Sequence, residues 1–455
     1  MATPFPIPVT AAQVGTYFVG QYYQVLQSQR EFVHQFYSDA STMLRIDGST
    51  RETAAAMLVA LRGKKLEYGD GEVVIIGGMV LDIHATPSLG AKSGTTVPGK
   101  VYYVQGGVAR NVAECMSKLG SKPFMISAIG FDMAGNLLLN QWKSAGLSAE
   151  GILKDKDIET PVVCNIFDVK GEVAAGVASV EALEKYLTPD WILHFKSTLL
   201  SAPVLMIDAN LSHSALEASC KMAADMECPV WFEPVSVTKS RRISFIVEYV
   251  TFASPNEDEL IAMANDLSGS AVFQPLSESQ KKNISVVSLF QMLKPAIWVL
   301  LEKGIEVVLV TIGSNGVFLC NKEGPSYLKK PTEKINRSGF GGQLYKSFMQ
   351  NCPPSPYSGF SKLDKSSPLC AVHFPSLPAS VVRLTGAGDC LVGGTLTSIC
   401  AGLDIMQSVS VGIAVAKAAV EAEANVPNSF NLSAIADDAK SVYSGAKVLF
   451  HQSML

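Results

Sequence analysis

The sequence predicts an α/β protein: a three-layer α/β/α domain built on a mainly parallel sheet, with a small β lid and an α-rich segment at the N-terminus. Two observations carry this. Short apolar runs ending in polar or glycine residues recur at 72–78, 203–208, 230–233, 250–253 and 307–311, with helical patterns between them. Such alternation calls for parallel strands covered by helices on both faces. Two further strand-like stretches, 97–106 and 161–178, break the alternation and bracket the first helical region. They are expected to pair outside the main sheet as a lid.

Each run has a local reason. Glu72-Val73-Val74-Ile75-Ile76-Gly77-Gly78 is too apolar for a half-exposed strand and reads as a buried one stopped by glycines. The runs at 203–208, 230–233 and 307–311 end in Asp208, Glu233 and Thr311. In a parallel sheet ligands sit beyond the strand C-termini. Asp82, Asp208, Glu233, Asn256 and Thr311 are therefore expected to gather on one edge. Residues 330–372, rich in Pro, Lys, Ser and Gly, read as a mobile insertion. Residues 63–71 carry Gly and mixed charges and read as a linker.

Composition narrows the function. The 455 residues are 48% apolar, enough for a large core, and the net charge of -4 implies no basic face for nucleic acid. No apolar run reaches the roughly 18 residues that span a bilayer. The opening ten residues hold three Pro and no Lys or Arg, unlike a signal or transit peptide. Nine Cys with no C-x-x-C pair suit a reducing compartment.

The richest stretch is Leu384-Thr385-Gly386-Ala387-Gly388-Asp389-Cys390, a glycine turn directly before an apolar helical run. Gly386 and Gly388 are expected to take positive φ and let the backbone approach a ligand. The amides of Gly386, Ala387, Gly388 and Asp389 would then converge on an anion at a helix N-terminus. A carboxylate beside an anion site needs a reason, and phosphoryl transfer supplies one: Asp389 takes the proton of the attacking hydroxyl. The alternative is a plain helix start capped by Asp389.

Other segments keep two readings each. Gly106-Gly107-Val108-Ala109-Arg110-Asn111 opens a helix and lets ligand hydroxyls reach the backbone, or is a turn. Asp82 suits the adjacent hydroxyls of a sugar, or is a solvated loop acid. Asn256-Glu257-Asp258-Glu259 puts an amide and a carboxylate on one helix face, fit for a hydrated Mg²⁺ or for a capping box. Thr311-Ile312-Gly313-Ser314-Asn315-Gly316 borders a nucleotide's phosphates, or turns a hairpin, or does both. Asn165, on the second lid stretch, is a candidate acceptor for a ring N–H.

Taken in order, Asp82, Gly106-Gly107-x-x-x-Asn111, Asn256-x-x-Glu259, Thr311-x-Gly313-x-x-Gly316 and Gly386-Ala387-Gly388-Asp389 resemble the ribokinase-like (PfkB) carbohydrate kinase family. The resemblance runs over most of residues 72–455. It implies an ATP- and Mg²⁺-dependent kinase. Asp82, Gly106, Gly107 and Asn111 would hold the sugar, and Thr311, Gly313 and Gly316 would line the ATP site. Asn256 and Glu259 would order Mg²⁺ and phosphates, Glu259 through water, and Asp389 would be the base. It also implies a homodimer formed through the lid. Arg383-Leu384 stand where many members carry Asp-Thr, which leaves open any monovalent-cation site at this loop. Residues 231–239 and 372–382 resemble the branch that phosphorylates the 5′-hydroxyl of pseudouridine. The alternatives are another nucleoside or a pentose as substrate, or a non-catalytic binding protein.

Residues 11–58, with Phe32-Val33-His34-Gln35-Phe36-Tyr37 followed by Ser41-Thr42-Met43-Leu44, resemble the start of a nuclear transport factor 2-like domain. Residues 1–62 are too short for that whole fold and are expected to be a partial segment. The final Ser453-Met454-Leu455 is a variant of the Ser-Lys-Leu peroxisome address, which implies a peroxisomal import receptor as partner or else is a chance match.

Overall fold

A computed structural model describes residues 42–47, 50–55, 71–90, 94–168, 173–277, 284–322, 339–350, 352 and 369–450. Contacts divide the chain into two units, 1–69 and 70–455. In the first, β1 (Thr42–Asp47) and β2 (Thr50–Ala55) form an antiparallel pair. The rest of the N-terminal segment, expected to be α-rich, lies outside the described residues, as does all but Gly71 of the expected linker.

The second unit is built on a ten-stranded sheet. Its strands are β3 (Val74–Ile76), β6 (Phe124–Gly130), β7 (Ile152–Asp155), β10 (Leu205–Asp208), β11 (Val230–Glu233), β12 (Phe252–Ala253), β13 (Val307–Thr311), β14 (Val317–Asn321), β15 (Cys370–Phe374) and β16 (Lys447–Phe450). Their order is β16-β15-β14-β13-β12-β11-β10-β3-β6-β7. Every pairing from β7 to β13 is parallel, and β13 to β16 are antiparallel. The sheet is therefore mainly parallel, as the alternation requires. Cys370 to Val372 belong to β15, so the stretch expected as insertion ends before Cys370; the apolar run Cys370-Ala371-Val372 is fully buried in the sheet. A helix at Gly339–Met349 also lies inside that stretch, whose remaining residues to 368 are, save Gln350 and Cys352, outside those described.

Helices cover both faces. One face packs α1 (Val108–Lys118), α2 (Met133–Ser144), α6 (Ala387–Cys400), α7 (Ile405–Val420) and α8 (Leu432–Gly445). The other packs α3 (His213–Asp225), α4 (Glu257–Ser268) and α5 (Val286–Glu302). Strand residues alternate between the two cores: Ile75, Met206, Trp231 and Leu309 point to the first, Ile76, Ile207, Phe232 and Val310 to the second. Each such side chain, fully buried, contributes roughly 1.5–3 kcal/mol. Among the described residues no helix is long and apolar enough to cross a membrane.

Four strands stand apart in the order β5-β4-β8-β9: β4 (Val80–Pro87), β5 (Gly99–Gly106), β8 (Val162–Phe167) and β9 (Val173–Ser179). The stretches at 97–106 and 161–178 are in this second sheet. The sequence assigns no element to its strand β4, only the two readings of Asp82. Asp82, His84 and Thr86 alternate there with Leu81, Ile83 and Ala85, a period-two pattern masked by the polar face.

Candidate active site

The site is built where the parallel strands end. Asp82 sits on β4, a strand residue instead of a loop acid. Its Oδ2 accepts from Asn425 Nδ2 at 3.3 Å. Gly106 closes β5, and a Cβ there would lie 2.2 Å from Asp82 Oδ2. Gly106 is thus the residue that makes room for the carboxylate. Gly107, at φ 95°, caps α1, and a Cβ on it would strike the Gly78 carbonyl. Asn111 follows in the first turn of α1, 3% exposed, and its Nδ2 donates to Asp389 Oδ2 at 2.6 Å. The structure thus joins Asn111 to Asp389, and places Gly106 against Asp82.

The loop before α6 departs from expectation in two respects. Gly386 takes positive φ, at 85°, and a Cβ on it would lie 2.2 Å from the Asn425 carbonyl. Gly388 does not; it is helical, and open space stands where its side chain would be. Its glycine keeps ground clear in front of the helix. The Ala387 amide is also spent, donating to Leu384 O at 3.3 Å, because the chain turns tightly there. The amides of Gly388 and Asp389 belong to the first helical turn and have no intrahelical acceptor, so they suit an anion.

Next to this loop is a polar cavity of about 110 Å³ lined by Glu233, Ser254, Asn256, Glu259, Thr311, Gly388, Leu391 and Val392. Asn256 and Glu259 form a full capping box: Glu259 Oε2 accepts from the Asn256 amide, and Asn256 Oδ1 from the Glu259 amide, both at 2.9 Å. The box aims Glu259, 6% exposed, toward the cavity without using both its oxygens. Glu233 arrives from the end of β11, its Oε2 accepting from Ser254 Oγ at 2.5 Å; Trp231 Nε1 in turn donates to that oxygen at 2.8 Å. Burial and then the charge of Glu259 push the Glu233 carboxyl well up; burial also raises Glu259. Among the described residues no group of three or more His, Cys, Asp or Glu could enclose a metal. Two facing carboxylates fit instead a divalent cation that keeps most of its waters, as Mg²⁺ does.

Gly313 and Gly316 do not line this cavity, whereas Thr311 does. They turn the hairpin between β13 and β14, and a Cβ on Gly316, at φ 100°, would lie 2.0 Å from Phe374 O. His373 Nε2 holds the same turn through Asn315 O at 2.7 Å. Asn165 lies on β8 opposite His84, two residues beyond the Asp82–Val163 pair, so it shares the Asp82 face of the lid. The structure places it two strand positions out from Asp82.

Burial is the first cause that lifts both Asp82 and Asp389 to about 6, with Asn425 and Asn111 respectively acting the other way through hydrogen bonds. Four residues of the site had no assigned role in the sequence. Arg110 lies buried behind Asn111. His84, 6% exposed, packs edge-on against Phe167 at 5.3 Å and faces the Arg383 charge. Arg383 lowers the Asp82 pKa, and its Nη1 is buried with no partner among the described residues. Asn425, 1% exposed, also holds Gln105 O at 3.0 Å. Arg110 stands inside the Gly106–Asn111 motif and was legible there; Asn425 lies in a loop that carries no motif.

Comparison with known proteins agrees with this geometry. A profile of the pfkB family carbohydrate kinases matches residues 70–336, and a nuclear transport factor 2 (NTF2) domain profile matches residues 14–63. The chain is 54% identical over 385 residues to a pseudouridine kinase of Arabidopsis thaliana, covering 84% of this chain and 100% of that one. It is 27% identical to a pseudouridine kinase of Escherichia coli, over 60% of this chain and 80% of the relative. The structure of Arabidopsis thaliana ribokinase complexed with ribose and ATP superposes with a TM-score of 0.58 at 16% identity, covering 81% of this chain and 99% of that one. The fold is accordingly ribokinase-like. With the glycine loop, the lid acid and the capped Asn256–Glu259 pair already in one place, the chain belongs to the pfkB family of carbohydrate kinases.

Proposed function

We propose that the protein transfers the γ-phosphoryl group of ATP to the 5′-hydroxyl of pseudouridine. The single observation that carries the chemistry is the Asp389 carboxylate held by Asn111 at the mouth of the α6 N-terminus. The substrate is inferred from the full-length similarity to a pseudouridine kinase. Asp82, Gly107 and Asn111 receive the ribose. Asp389 takes the proton of the 5′-hydroxyl as the oxygen–phosphorus bond forms, and ADP leaves. The Gly388 and Asp389 amides hold the charge on the transferring group. Thr311 and Asn256 border the phosphates. Glu233 and Glu259 are the residues that would hold Mg²⁺ through its waters, a cation that offsets phosphate charge when bound.

The test is ATP consumption with pseudouridine, uridine, adenosine and ribose side by side. Turnover only with ribose would move the protein to another branch of the family. No turnover with any of them would favour a binding role.

Three further proposals accompany this reading. The lid carries Val101, Tyr103, Ile166 and Val177 exposed on the face away from Asp82, which suits a homodimer formed there. A monomer in solution scattering would exclude it. Ser453-Met454-Leu455, outside the described residues, is proposed as an import address to the peroxisome. Cytosolic fluorescence of a fusion that leaves this tripeptide free would exclude that. Phosphorylation then serves nucleoside breakdown, and feeding labelled pseudouridine to cells lacking the protein should leave the label in the free nucleoside.

A further inference from the structure

Arg110 immediately precedes Asn111 in α1 and is 5% exposed. Its Nη1 donates to Asn111 Oδ1 at 2.8 Å. Its Nη2 pairs with Glu114 one turn on, and Glu114 also pairs with Lys118 at 2.7 Å. A guanidinium can only donate, so the Asn111 oxygen is claimed. The Asn111 nitrogen is left to face Asp389, and donates to its Oδ2 at 2.6 Å. A flipped amide would set oxygen against carboxylate and NH₂ against guanidinium, two repulsions in place of two bonds. A neutral amide thus bridges a buried cation and a carboxylate.

We infer that Arg110 is a positioning residue for phosphoryl transfer, acting through the Asn111 amide on the Asp389 carboxylate. This rests on Asp389 being the base. The charged groups facing Asp389 explain why such a residue is needed. Asp208 and Asp82 oppose its ionisation, and Glu233 feels its charge as well. Arg110 is the cation that acts in the other direction. Without it, only the Asn111 bond is left to offset burial, Asp208 and Asp82, and the proton affinity of Asp389 rises.

The experiment is the pH profile of kcat for Arg110→Met and Arg110→Gln in the full chain, with pseudouridine and ATP saturating and melting temperatures measured in parallel. Arg110→Met should move the acidic limb up by about one pH unit, which lowers kcat about twofold at pH 7 and about fivefold at pH 6 and leaves it close to the parent near pH 9. KM for ATP should change less than twofold. Arg110→Gln keeps a donor for Asn111 without the charge, so its limb should move while its high-pH plateau stays closer to the parent; it also serves if the Met variant does not fold. An unmoved limb in a folded variant, or a loss equal at every pH, overturns the inference. Asp389→Asn separates the two readings. Retained activity there removes the base itself, whereas an inactive Asp389→Asn beside an unmoved Arg110 limb removes only the role of Arg110.

Discussion

Asn425 donates its side-chain amide to Asp82, 343 residues earlier in the chain, and with the same nitrogen to the Gln105 carbonyl on the lid strand β5. Its own carbonyl backs onto Gly386, where a Cβ would not fit. One residue therefore ties the lid, the acid proposed for the ribose and the loop proposed for the phosphate. Asn425→Ala should raise KM for the nucleoside about 5- to 100-fold, the equivalent of a lost hydrogen bond to a buried carboxylate at about 1–3 kcal/mol. KM for ATP should move little. Fold stability should fall less than the deletion of a satisfied amide would cause, because Asn425 Oδ1 is buried with no partner among the described residues. Equal changes in both KM values would reduce Asn425 to a packing residue.

Asp389 lies near pH 6 in its proton affinity because burial penalises its charge. A base must be ionised to act, so kcat should hold above about pH 6 and fall tenfold per unit below it. Asp389→Asn removes the base while leaving the Asn111 side chain a partner. We expect kcat to drop by roughly 10²–10⁴ with the melting temperature nearly unchanged. Near-full turnover would place the proton transfer elsewhere.

Glu233 and Glu259 repel each other across the cavity. The folded-state pKa of Glu233 is raised above its unfolded value, so ionising it above that unfolded value costs stability, and the cost persists at neutral pH. Glu233→Gln can still accept from Ser254 and removes the repulsion. Without Mg²⁺ the variant should melt higher than the parent by a degree or more. With Mg²⁺ titrated into the assay it should need a higher concentration for half-maximal rate. A lower melting temperature together with an unchanged Mg²⁺ requirement would show that Glu233 serves only the Trp231–Ser254 network.

None of the site residues named above falls within residues 1–62 of the sequence. The Arabidopsis relative matches 385 residues of this chain and is covered in full by them. A protein beginning at Gly63 should therefore keep kcat/KM within about twofold, read from the same coupled assay. A large loss in a folded truncation would give the segment a part in catalysis.

Much of this was legible in the sequence because it depends on local chemistry. The apolar runs at 307–311 and 230–233 could only be buried strands, and their polar ends placed Thr311 and Glu233 at one sheet edge. The Asn256–Glu259 spacing announced both its capping box and its proximity to the cavity. What could not be read depends on distance along the chain. Nothing near Asn425 signals Asp82, and nothing near Gly316 signals that Phe374 O would occupy its Cβ position. β4 escaped for a different reason: its polar alternation faces a ligand site and reads as a loop unless β5 and β8 are known to flank it. Gly388 shows the same limit, since a glycine required by space and one required by φ look alike in sequence.

The lid also bears on substrate choice. Pseudouridine joins ribose through carbon, so its ring keeps an N–H that uridine spends on the glycosidic bond. Reading that N–H needs an acceptor on the face of the lid that carries Asp82. Asn165 is half-buried on that face, beside His84 and opposite Gly176, whose missing side chain leaves the Asn165 oxygen uncovered. An acceptor left unpaired by uridine discriminates by several orders of magnitude, whereas shape alone gives roughly 10–200-fold. We expect kcat/KM for pseudouridine to exceed that for uridine by at least 10³. Asn165→Ala should cut the ratio mainly by lowering the pseudouridine value and should leave uridine nearly untouched. If Asn165→Ala lowers both nucleosides equally, the acceptor lies on another residue. If the parent protein treats the two alike, no group in the site reads the ring N–H and the pseudouridine assignment fails, while phosphoryl transfer by Asp389 stands on its own measurement.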